Sequence, residues 1–164
     1  VQQVFAAAGA APVNLPGSEV FTSLDKGVID AADYSVFSTN QAQGLHDVAP
    51  NPVYPGFHSM PLVEISISKA KWDALPDDLK TALEESVAAF AQVQVAALAE
   101  NDMKAVEAAK AGGKITVSDW PAEERAKFRT IATGEWAKVA ERSESARKVY
   151  DTLTGYLKEK GLMQ

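Results

Sequence analysis

From Asp77 to Ala111 the chain contains neither proline nor glycine. Alanine, the strongest helix former, recurs throughout this stretch. Leu79, Leu83, Val87, Phe90, Val93, Ala97 and Leu98 keep the three-to-four spacing of an apolar stripe. Pro76 opens the segment and Gly112-Gly113 closes it. A straight helix over about 77–111 would run roughly 50 Å. A compact domain of 164 residues is only about 40 Å across. Unless it bends or breaks, the helix is too long for its own domain, and its stripe is expected to pack along a second lobe or a second chain.

Residues 1–8 read as the end of a helix stopped at Gly9. Their opening carries no N-cap, which predicts a sequence that begins inside a helix, as a piece of a longer protein. Ser18 reads as the N-cap of a helix over Glu19–Lys26, with Glu19 in the positively polarised first turn and Gly27 as the stop. Val28-Ile29-Asp30-Ala31-Ala32 then reads as a short buried strand, and Thr39–Val48 as a helix broken by Pro50 and Pro52. Leu62–Ser68 alternates apolar and polar like a strand, and Lys114–Ser118 is another short one. Helices over about 121–142 and 145–160 close the chain, the first with Pro121 near its first turn. Helices alternating with strands in one block predict a single α/β lobe over 1–164.

A net charge of −6 argues against a nucleic-acid partner. No basic face addresses an anionic membrane, and no apolar run reaches the roughly 20 residues that span a bilayer. The chain has no cysteine, which excludes disulfides, thiol catalysis and thiolate metal sites. The patterns GxSxG, GxxxxGK[ST], HExxH and GxGxxG are all missing, so the chain is read as a protein that is not an enzyme. Its two histidines, His46 and His58, stand at no metal-ligand spacing.

The polar positions that remain point to binding. Asp33-Tyr34 follows the expected Val28–Ala32 strand, the end at which open α/β sheets receive ligands. Asp33 reads as a ligand or metal contact or as a structural hydrogen-bonding group, whereas Asp25 and Asp30 read as capping or solvated positions. Ser38 and Asn40 follow closely and join the candidates. Tyr54-Pro55-Gly56-Phe57-His58 sets two aromatics and a histidine around a Pro-Gly turn, a loop suited to ligand contact or to aromatic packing. Trp72 reads as the anchor of a helix start, and Trp120 and Trp136 as core.

Three segments carry a resemblance: Gly9-Ala10…Pro12, Pro16-Gly17-Ser18-Glu19-Val20-Phe21-Thr22-Ser23-Leu24-Asp25-Lys26-Gly27-Val28-Ile29-Asp30, and Trp72-Asp73-Ala74-Leu75-Pro76. Together they resemble the periplasmic solute-binding proteins of TRAP transporters, the DctP-like group. The resemblance implies the C-terminal lobe of a two-lobed, type II-like periplasmic binding fold, with the very long helix spanning the lobes. It implies capture of a small organic carboxylate in the periplasm and delivery to membrane permease subunits. Asp33, Tyr34, Phe57 and His58 would then face the cleft between lobes, with Ser38 and Asn40 beside them. The carboxylate-binding arginine of the family has no counterpart, since Arg125, Arg129, Arg142 and Arg147 stand in other contexts. One branch of the family bridges its ligand through a metal ion. Asp33 would be the carboxylate for Na⁺ or Ca²⁺ there, but the second acidic ligand is replaced by His58-Ser59. The rival reading is a helical interaction module with no small ligand, homodimeric through the long helix.

Overall fold

The computed structural model describes residues 1–58 and 64–163. Eight helices form among the described residues. They are α1 (Gln2–Ala7), α2 (Gly17–Asp25), α3 (Phe37–Ala42), α4 (Leu45–Val48), α5 (Lys69–Asp73), α6 (Asp77–Gly112), α7 (Ala122–Ala140) and α8 (Glu144–Glu159). They fall into two compact units, one of Val1–Pro16 with the residues from Trp120 onward, the other of Gly17–Asp119.

In the first unit α1 packs on α7 and α7 on α8. Phe128 is buried, with its ring 5.5 Å from Phe5 and 5.6 Å from Trp120. Val4, Ala132, Ala140 and Leu157 are buried in the same unit. Helix α8 starts at a side-chain cap, where the Ser143 hydroxyl accepts the Ala146 N–H at 3.1 Å.

In the second unit α6 spans 36 residues, about 54 Å. Asp77 and Asp78 complement the positive end of its dipole, and Gly113, at φ +69°, ends it. Only its C-terminal part carries the unit's core. Phe37 of α3 packs there on Val106 and Ala109, with Tyr54, Ala105, Ile115 and Val117 around them. Toward the other end the apolar stripe is open to solvent, Phe90 at 54% and Val93 at 67% exposure. The long helix is thus as expected, and among the described residues its stripe is left open at Phe90 and Val93.

The start of α3 shows how the unit is tied together. Val36 occupies the N-cap position and has no side chain that can cap. Asp102 of α6 does so instead, its Oδ1 accepting the Ser38 N–H at 2.8 Å and the Ser38 hydroxyl at 2.6 Å. Beside this contact, residues 50–54 run parallel to 116–118. Thr116 and Ser118 donate to the carbonyls of Pro50 and Pro52 at 2.8 and 3.0 Å, and Tyr54 donates to Ser118 at 2.7 Å. The prolines have no N–H, so they only accept.

The described residues do not confirm the α/β expectation. The described residues are mostly helical, and their only β pairing is the isolated parallel bridge of Val53 with Ser118. Val28–Ala32 is irregular, with Val28 72% exposed. The Val28 and Ile29 N–H groups turn back to the Ser23 carbonyl at 2.8 and 3.3 Å, closing α2. A strand needs those groups for a neighbour. In the expected Leu62–Ser68 strand, residues 62 and 63 lie outside the described residues, and 64–68 are irregular and exposed. Lys114–Ser118 keeps only the bridge. The expected Thr39–Val48 helix splits into α3 and α4 at Gly44, whose φ of +75° suits glycine alone at low cost.

Candidate functional site

The candidate residues all lie in the Gly17–Asp119 unit. After α2 stops, residues 28–36 form an irregular segment that carries Asp33, Tyr34 and Ser35. Each of these three residues is held by a different partner. Asp33 Oδ2 lies 3.2 Å from His58 Nδ1, an ion-pair distance, with His58 largely covered and Asp33 half-exposed. Tyr34 rests its phenol on Gly17, where an added Cβ would come within 2.9 Å of the Tyr34 Oη. Ser35 is pinned on both sides by the Asn40 amide, which accepts its N–H and donates to its carbonyl, each at 3.0 Å.

The structure therefore brings Asp33 and His58 together from segments 25 positions apart in sequence. Tyr34 stands beside Asp33 and is 39% exposed. Phe57 is half-buried next to His58, on the loop that Tyr54 anchors through its edge-on contact with Phe37 at 5.7 Å. Ser59 lies outside the described residues. Ser38 and Asn40 both take part in internal hydrogen bonds, Ser38 with Asp102 and Asn40 with Ser35. Sequence reasoning passed over Gly17 as a contact of Tyr34 and Asp102 as the cap of α3. Neither carries a local signal, because both act on residues far along the chain.

No three His, Cys, Asp or Glu side chains converge on a metal-sized point among the described residues. Asp33 meets an imidazole rather than a second carboxylate, and a hard cation takes six or more oxygens. Among the described residues Asp33 is thus part of no such group of three. The unit Gly17–Asp119 contains no arginine. The predicted site residues of this unit carry a hydroxyl at Tyr34, an imidazole at His58 and a carboxylate at Asp33.

A separate apolar groove of about 700 Å³ lies between the 65–67 segment, α5 and α6. Ile65, Ile67, Trp72, Leu83 and Val87 line it, so Trp72 serves hydrophobic packing. None of Asp33, Tyr34, Phe57 or His58 reaches this groove.

His46, on α4, is buried against Phe37 with ring centroids 4.4 Å apart. Its Nδ1 has no hydrogen-bond partner among the described residues. Burial pushes its pKa below the ordinary 6.5, and Asp47 opposes this more weakly. A folded-state pKa below the unfolded one means that the unfolded chain binds the proton more tightly. The contribution of neutral His46 to stability is complete above pH 6.5 and is lost as pH falls toward the depressed value. Thermal melts between pH 8 and 5 should show the wild type losing more stability on acidification than His46→Leu. Equal losses in the two proteins would free His46 of this role.

Residues 1–143 match the family described as bacterial extracellular solute-binding protein, family 7 (DctP). The chain is 30% identical over 141 residues to the C4-dicarboxylate-binding periplasmic protein DctP of Rhodobacter capsulatus, covering 83% of this chain and 40% of that protein. A TRAP periplasmic solute-binding protein of Rhodobacter sphaeroides, solved in an apo open form, is 67% identical with a TM-score of 0.78. That match covers 99% of this chain and 52% of the other. The periplasmic ectoine-binding protein of the TeaABC TRAP transporter of Halomonas elongata is similar in fold, at 18% identity and a TM-score of 0.78 over 96% of this chain and 51% of that one. The chain spans about half the length of these solved structures. No described helix is long and apolar enough to cross a membrane.

Proposed function

Since the chain belongs to the family 7 bacterial extracellular solute-binding proteins, we propose that it forms part of the substrate-binding component of a TRAP-type transporter. That component would act in the periplasm, capturing a small organic carboxylate and handing it to membrane permease subunits. No catalytic step is involved. Affinity comes from closure around the solute, which shifts an open–closed equilibrium.

The observation that carries this reading is the meeting of the 33–35 and 54–58 segments at Asp33 and His58. Tyr34 and Phe57 flank that pair in sequence, and the reading takes their hydroxyl and ring to act with the imidazole. The Tyr34 hydroxyl and His58 imidazole are donors suited to a carboxylate oxygen. Asp33, in a unit without arginine, favours a second reading: a solute that also carries a positive centre, which this carboxylate would pair with. The exposed stripe of α6 supports the same assignment. The solved relatives are about twice as long, and a stripe on a helix of this length is the surface against which a further lobe would pack. This cover is preferred to the homodimer and to a ligand-free helical interaction module.

Titration calorimetry of the full-length protein with succinate, pyruvate and ectoine tests the proposal. Binding of one of them should weaken roughly tenfold or more in Tyr34→Ala and in His58→Ala, which corresponds to about 1.4 kcal/mol. Unchanged affinity in both variants would remove these residues from the site. Preference for ectoine over the two acids would favour the reading with a positive centre.

A further inference from the structure

We propose that Gly17 is a positioning residue for the ligand site, acting through Tyr34; this rests on the reading above that Tyr34 faces the solute. The Tyr34 ring lies across the first residue of α2, with Oη, Cε2 and Cζ at 2.9, 3.3 and 3.5 Å from where a Cβ on Gly17 would stand. No glycine-specific φ is needed at Gly17, which is absent from the positive-φ glycines. Alanine therefore suits its backbone, and alanine is the better helix former. What glycine supplies here is space for the ring.

The neighbouring residues make that space matter. The Asn40 amide bonds both the N–H and the carbonyl of Ser35, so the backbone after Tyr34 is held, and before it the Asp33 carboxylate lies 3.2 Å from His58 Nδ1. A methyl group on Gly17 requires a shift, and the far end of the Tyr34 side chain is what would swing aside. Tyr34 is 39% exposed, so the swing costs little packing. Gly17→Ala should thus move the phenol without unfolding the unit. Preorganised contacts are the ones whose displacement lowers affinity.

The test uses the full-length protein labelled with 3-fluorotyrosine, the Tyr34 ¹⁹F resonance being assigned by its loss in Tyr34→Phe. Gly17→Ala should shift that resonance and leave the melting temperature at or above that of the wild type. Affinity for whichever of succinate, pyruvate or ectoine binds the wild type should fall roughly tenfold. In a Tyr34→Ala background the same substitution should change affinity by less than about twofold, since the cycle isolates the coupling. An unmoved resonance would overturn the seat itself, whatever the ligand. A moved resonance with unchanged affinity would overturn the positioning role. Failure of all three solutes to bind the wild type would sink the solute reading and the positioning role with it, while the ¹⁹F shift would still decide whether Gly17 seats the ring.

Discussion

Phe37→Ala should destabilise the Gly17–Asp119 unit by about 3–5 kcal/mol, the usual cost of deleting a buried aromatic. Phe37 is 5% exposed and lies in the core of that unit. It packs on Val106 and Ala109 of α6, stacks on His46 of α4, and meets Tyr54 at the start of the ladder to Ser118. Its loss opens a cavity against the 36-residue helix α6. Urea unfolding followed by circular dichroism should show a lower midpoint with an unchanged slope. Phe37→Leu, which keeps much of the volume, should cost clearly less. A change below about 1 kcal/mol for the alanine variant would mean that the core collapses around the gap.

Asp102→Ala should cost about 2 kcal/mol, in the range for hydrogen bonds to a charged group. The substitution strips the N-terminus of α3 of its cap and leaves the Ser38 N–H and hydroxyl without their acceptor. Asp102→Asn keeps a neutral oxygen in place and should fall between the two. A double-mutant cycle with Ser38→Ala isolates the side-chain bond, because both residues serve the same contact. A coupling near zero would show that the backbone bond alone matters. The expected partial loss would apportion stability between hydroxyl and amide.

The helices were legible because their signals are local. The expected 77–111, 121–142 and 145–160 helices correspond to α6, α7 and α8 with ends shifted by at most two residues. The expected strands were not legible in the same way. Val28-Ile29-Asp30-Ala31-Ala32 has a strand's composition, but composition does not say whether another strand lies alongside. Its amides instead close the turn after α2. In the candidate site, Asp33 and His58 were singled out separately for residue type and loop context, and the fold sets them 3.2 Å apart. Ser38 and Asn40 were chosen on the same grounds, and the structure shows them bonded to Asp102 and Ser35. Residue type alone does not distinguish a side chain that meets solute from one that braces the loop.

By itself the sequence determined a helix longer than one compact domain accommodates, with an apolar stripe along it. Propensity and three-to-four periodicity act within a few residues, so no tertiary partner was needed to read them. Tertiary structure alone decided where that helix is covered. Phe37 packs on α6 beyond the stripe, at Val106 and Ala109, while Phe90 and Val93 of the stripe stay open. It also decided that Asp102 caps α3 and that Gly17 seats Tyr34. Those contacts join residues 64 and 17 positions apart in sequence, where position is set by packing and chain topology rather than by local preference.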